Sequence, residues 1–230
     1  MAYAFLKGLG LDGDIGTITV TWGSTESKAG DGHTVPVAGW GKAEITFSGP
    51  LAKLLGEQHK ILSTSVHTME IESTRYPFCF YGDPKLPEAT RSILPYVPFN
   101  ADLNRFMLVV KGLPEPAATV KWGDTSQRFT REQLEAGVNL AAEFLDNPFS
   151  EAFKALDDLV AKKQAFETSM IKQCITNVRT YRTLLGNDPE AEKAMATLRE
   201  RLMVVEQKWQ ADVRAAVKPV RHTLTIEPEK

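Results

Sequence analysis

Three short stretches hold side chains whose types and order suit acyl transfer. Gly123-Asp124-Thr125-Ser126 offers a hydroxyl just after a tight turn, Gly186-Asn187-Asp188 offers an amide and a carboxylate, and His222 follows as a base. Such chemistry needs a serine at the tip of a strand-to-helix turn, a histidine within hydrogen-bond reach, and N–H donors for the oxyanion. The local context denies each part. Threonine, not serine, follows Gly123-Asp124, and residues 126–129 read as extended rather than helical. Gly186-Asn187-Asp188 is accounted for as the stop of one helical pattern and the cap of the next. No catalytic residue is assigned. The histidines at 33, 59, 67 and 222 are scattered, with no pair at ligand spacing on one element, so no metal or other cofactor is expected.

Binding chemistry has better material. Trp22, Trp40, Tyr76 and Tyr81 present aromatic faces that suit the apolar faces of sugar rings, although the plainer reading buries them. Arg75 stands beside Tyr76, and Asn100, Asp102 and Asn104 cluster before the most apolar strand. Trp22, Trp40, Arg75, Tyr76, Asn100 and Asn104 are therefore the candidate binding residues, with carbohydrate as the ligand class. The competing use of Asn and Asp there is loop hydrogen bonding.

The elements that must position these residues are readable from pattern. The β-branched run 15–22 predicts a strand, and 35–37 and 43–47 predict shorter ones. A glycine-rich loop is expected over 23–34, and one or two helical turns over 51–55. KILSTSV and TMEIEST follow as strands; in the second, Met69 and Ile71 alternate with Glu70 and Glu72. Pro77 makes 75–81 an edge or irregular segment. FMLVVK at 106–111 predicts a buried central strand, and 118–122 another. Thr130-Arg131-Glu132-Gln133 is a capping box for a helix that Gly137 keeps short. The type of the apolar stretch 138–144 is left open. Beyond Asn147-Pro148, apolar residues recur at helical spacing to Leu185. A second helix starts at Asp188-Pro189, and Pro219 ends it. A two-residue link obliges two such helices to pack antiparallel. Residues 221–227 alternate, with His222, Leu224 and Ile226 on one side, and should return to the sheet.

The expected fold is therefore α+β: an antiparallel β-sandwich-like domain, then a long antiparallel helical hairpin and a returning C-terminal strand. The expected division is 1–12, a remnant helix; 13–149, a β-rich domain; 150–218, the hairpin; and 219–230, the strand and tail. The chain's 24% charged residues and net charge of −2 argue against nucleic acid, which selects a basic surface. No apolar run approaches the roughly 18 residues that would span a bilayer. Cys79 and Cys174 read as two buried free thiols. The start lacks the pattern of a secretory signal and reads as the last turns of a helix, so Met1 is expected to be an internal position of a longer protein.

Six ordered segments carry a resemblance: MAYAFLKGLGLDGDIGTITV, IESTRYPFCFYGDP, LPYVPFNADLNRFMLVVKGLP, VKWGDTSQRFTREQLEAGVNLAAEFLDNPFSEAF, AKKQAFETSMIK and RHTLTIEP. Together they resemble the C-terminal half of bacterial, planctomycete-type SGNH/GDSL hydrolases, except over about residues 22–60. The resemblance implies an accessory region of a serine ester hydrolase acting on carbohydrate or other acyl esters. Its nucleophile, oxyanion donors and Asp-x-x-His base would all precede Met1. Residues 219–222 are Pro-Val-Arg-His, so no catalytic position carries over, and the chain alone is expected to be inactive. The implied partner is an SGNH domain in cis, in a family that is often exported; compartment is otherwise unknown. The alternative is a non-catalytic carbohydrate-binding or protein-interaction module.

Overall fold

The structure, a computed structural model, describes residues 2–23, 33–37, 41–46 and 58–230. The readings for 24–32, 38–40 and 47–57, which include Trp40, fall outside the described residues. The fold is α+β, with two five-stranded sheets, a long helical segment and a C-terminal strand. The chain divides into two compact units, Met1–Phe153 with Pro219–Lys230, and Lys154–Lys218.

In the first unit, α1 (Ala2–Gly8) leads to β1 (Asp14–Trp22). Strands β2 (His33–Val37), β3 (Gly41–Thr46), β4 (His59–Ser65) and β5 (Thr68–Ser73) follow. After an irregular stretch come α2 (Phe99–Leu103), β6 (Arg105–Lys111), β7 (Ala117–Trp122) and β8 (Thr125–Thr130). The capping box forms as its residues predict: the Thr130 hydroxyl accepts from the Gln133 N–H, and α3 (Arg131–Ala136) ends at Gly137. The ambiguous apolar stretch resolves into a two-residue strand, β9 (Val138–Asn139), and a single turn, α4 (Leu140–Glu143).

One sheet has the order β2-β3-β1-β6-β9. The other has β4-β5-β10-β7-β8, where β10 (Val220–Glu229) is the returning strand. β10 lies between β5 and β7, pairing antiparallel with both. The departure from an antiparallel expectation is the β1–β6 pair, which is parallel. Parallel neighbours need a long crossover, and here the chain between them holds four other strands. Their entry is set by Gly13, at φ +68°, whose carbonyl accepts from the Arg105 N–H at 2.9 Å. A Cβ at Gly13 would fall 2.1 Å from the Leu103 Cα, so only glycine lets the two segments close up.

The core draws on both sheets. Ile18, Val20, Phe106, Leu108 and Val110 from the first join Met69, Ile71, Val120, Trp122, Leu224 and Ile226 from the second in one buried cluster. The other face of β6 is covered by α3 and α4.

The second unit continues α5 (Ser150–Ser169) into a π-helical stretch (Met170–Ile175) and α6 (Val178–Leu185). Gly186 breaks the chain at φ +63°, and Asp188 caps α7 (Pro189–Ala216) through the Glu190 and Ala191 N–H groups. Lys163 lies 3.5 Å from Glu206, and Arg182 clasps Glu192 with two bonds of 2.6 and 2.8 Å. Cys79 and Cys174 are free thiols; Cys79 is buried and Cys174 half-buried. Among the described residues no helix is long and apolar enough to cross a membrane.

Candidate functional site

Four of the six candidate binding residues come together where β1 and β6 begin. Arg75, Tyr76 and Asn104 line a cavity of about 230 Å³ with Asp12, Leu6, Leu11, Phe78 and Phe99, and Asn100 bonds to Asn104. The wall is apolar because Phe78 meets Phe80, Phe99 and Phe153 ring to ring within 5.2 Å. Helix α1 is tied to α2 at the same place: the Tyr3 hydroxyl donates to Asp102, and the Lys7 ammonium lies 3.2 Å from it. Those two contacts, Tyr3 first, hold the Asp102 carboxyl below the usual carboxylate range.

The polar members of this site differ in what they have left to offer. Asn104 is fully buried, and its amide is spent on the backbone. Its Oδ1 accepts from the Phe78 N–H at 2.7 Å; its Nδ2 donates to the Phe78 carbonyl and to Asn100 Oδ1, both at 2.9 Å. It thus acts as a rung of sheet for a segment that has no strand partner. Asn139, which sequence reading passed over, completes the bracket. Its Nδ2 donates to the Asn100 and Asn104 carbonyls, and its Oδ1 accepts from the Phe106 N–H. Arg75 brings a guanidinium to the lining. Burial pulls its guanidinium below the ordinary arginine range, and the nearby Asp14 and Asp12 carboxylates work against that. Tyr76 leans on Phe149 and packs against the core. Trp22 stands at the far end of β1, roughly 25 Å along the strand at about 3.3 Å per residue. It is half-buried, with its ring over His67.

A second cluster, deep between strands, has the residue types of catalysis. The Trp122 indole donates to His222 Nδ1 at 3.1 Å. Since an indole only donates, Nδ1 is bare and the proton of the neutral ring sits on Nε2. That nitrogen, 2.9 Å from Ser73 Oγ, donates to it. The Ser73 proton therefore points to His59 Nδ1 at 2.8 Å, and His59 Nε2–H donates to the Ile15 carbonyl at 2.8 Å. Every proton has one place. Burial lowers the pKa of His59 and takes that of His222 down to about 3. A Cβ at Gly16 would come 3.0 Å from His59 Nε2, so glycine in β1 makes room for the ring.

Ser73 and His59 have the spacing of a nucleophile and its base, but this is not an active site. Ser73 has no exposed surface, its oxygen already accepts from His222, and both rings are neutral and walled by Phe106 and Phe149. The chain of bonds satisfies four polar groups inside the core and pins β1 to β4, β5, β10 and β7. The order Ser126, Asn187, His222 does not assemble: Ser126 on β8 pairs with Lys121 on β7, while His222 faces Ser73 and Trp122. Among the described residues no three His, Cys, Asp or Glu side chains gather to hold a metal ion.

No protein-family model matches the chain, and no curated protein matches it either. The class defined by the fold is an α+β protein of two sheets with a helical segment. A solved structure of that class is described as a gut microbial diltiazem-metabolizing enzyme. It matches 100% of this chain with a TM-score of 0.58 at 16% identity, and the chain spans 53% of that enzyme's length. At this identity the likeness is one of fold.

Proposed function

We propose that the chain is the non-catalytic C-terminal accessory portion of an SGNH/GDSL-type ester hydrolase. In this reading a β-sandwich-like body of mostly antiparallel strands carries an antiparallel helical hairpin and works beside a catalytic domain in cis. The observation that carries it is the set of six ordered segments that resemble the hydrolase family. The burial of Ser73 supports the non-catalytic part of the reading. Two measurements test the reading. The reading frame extended upstream of Met1 is expected to contain Gly-Asp-Ser and Asp-x-x-His blocks. The 230-residue chain should leave p-nitrophenyl acetate intact, while the extended polypeptide hydrolyses it. Hydrolysis by the shorter chain that disappears in Ser126→Ala would sink the proposal.

A second reading has its own observation, the cavity at Arg75, Tyr76 and Asp12. A guanidinium donor, a carboxylate acceptor and aromatic walls are the groups that hold a polyol. Binding on a glycan array that is lost in Arg75→Ala would favour carbohydrate recognition. Loss in Trp22→Ala instead would move the ligand to the other end of β1.

A further inference from the structure

The helical unit leaves its own apolar surface uncovered. Only Met170 is buried in it, and Ile171, Tyr181, Leu184, Leu185, Leu198 and Val204 are exposed. Patches of this kind on a soluble chain mark interaction surfaces. One stretch of the surface is shaped as a groove. Ile175 and Val178 on one side face Met195, Leu198 and Leu202 on the other, around a cavity of about 210 Å³. Its facing walls are apolar side chains, so the space suits one or two apolar side chains of a docked segment. Leu198, Leu202 and Val205 recur at steps of four and three along α7. A helix lying in a groove brings apolar anchors of its own at i, i+4 and i+7 to set against such a row.

Charge decides which helix fits. Arg179, Arg182 and Arg199 border the groove against a single carboxylate, Glu192. Glu192 is already held by Arg182. Arg199 also acts on Glu192 through space, and neither it nor Arg179 lies within ion-pair distance of a carboxylate among the described residues. The helical unit of a second copy is a poor occupant, because residues 154–218 carry 12 Lys and Arg against 9 Asp and Glu and two such units repel.

We propose that this groove docks an acidic amphipathic helix of a partner protein, its apolar stripe on Val178, Leu198 and Leu202 and its carboxylates on Arg179 and Arg199. The site is independent of the esterase reading.

The test uses the full chain and two labelled helical peptides of about 18 residues, long enough for five turns. Both carry leucines at i, i+4 and i+7; one has glutamate flanks and the other lysine. By fluorescence anisotropy the glutamate peptide should bind at least about tenfold more tightly, with affinity falling as salt is raised. Arg179→Glu with Arg199→Glu should reverse that preference. Leu198→Lys, at a side chain 49% exposed, should weaken the glutamate peptide about tenfold or more. Circular dichroism should be unchanged in both variants. Equal binding of the two peptides, or binding of neither, overturns the proposal. So does self-association by sedimentation that Leu198→Lys abolishes, since that gives the groove to a second copy.

Discussion

Among the described residues every buried hydrophobic side chain except Met170 belongs to the β-rich unit, whereas nine of the sixteen exposed large ones lie on the helical unit. The two units therefore rest on different physics. The first is held by area removed from water and by a saturated polar chain inside it. The second relies on local devices: the Asp188-Pro189 cap, the Lys154–Asp158 and Lys163–Glu167 pairs at i,i+4, and the Lys163–Glu206 contact. Local devices contribute tenths of a kcal/mol to about 1 kcal/mol each. A unit built on them is marginal alone and has surface left for a partner.

The largest expected effect is in the β-rich unit. Trp122→Ala removes a fully buried ring that touches Phe106, Phe144 and Phe149 and strips His222 of its donor. A loss of about 4 kcal/mol is expected in denaturant unfolding; a loss under about 1 kcal/mol would show that this core is not what holds the unit. Acid comes next. In the unfolded chain both histidines take protons near 6.5. In the folded one His222 resists until about 3, and His59 is lowered in the same direction. The unfolded state therefore binds more protons between those limits, and stability falls as pH drops through them. From His222 alone the loss is about 3 kcal/mol by pH 4, at roughly 1.4 kcal/mol per unit. Protonation puts a second donor opposite the Trp122 indole, so near-ultraviolet signals of Trp122 should disappear first. An acid slope equally steep in His222→Gln would place its origin elsewhere.

Much of this contrast is legible in single residues. His222, Leu224 and Ile226 alternate on one side of β10, and all three are buried. Ser73 shares its side of β5 with Met69 and Ile71, and His59 shares its side of β4 with Ile61. Three polar residues at apolar-facing positions announce a buried network; nothing local says they meet, because the bonds join positions 14 and 149 residues apart. The parallel β1–β6 pairing is hidden for the same reason. Asn139 lies in the apolar stretch 138–144, whose type the pattern leaves open because β9 is too short to show alternation, and it works as a bracket. In the helical unit a different signal was available. Phe166, Met170, Cys174 and Val178 recur at three consecutive steps of four, which overshoots 3.6 residues per turn, and the π-helical stretch from Met170 to Ile175 widens the turn to keep them on one face.

That widened turn supplies the next test. Met170→Ala empties the one buried position of the helical unit and should cost that unit about 2 kcal/mol, read as earlier loss of helical ellipticity with the tryptophan signal of the core unchanged. A concerted loss of both signals would mean that the two units unfold as one and that the contrast is not energetic.

The smallest effect is the most local. Asp188 accepts from the N–H groups of Glu190 and Ala191 at 2.9 and 3.2 Å, and its carboxylate faces the positive end of α7. Asp188→Ala leaves those donors to water and should cost about 1 kcal/mol; Asp188→Asn, which keeps the acceptor and loses the charge, should cost less than half of that. Hydrogen exchange at residues 189–193 reads this directly. Because the helical unit has little burial to hold its ends, faster exchange should spread down α7 toward Met195 and Leu198. In a helix fixed by a core it would stop within the first turn. Exchange confined to 189–193 would mean that the seam with residues 174–182 is tighter than its exposed side chains imply.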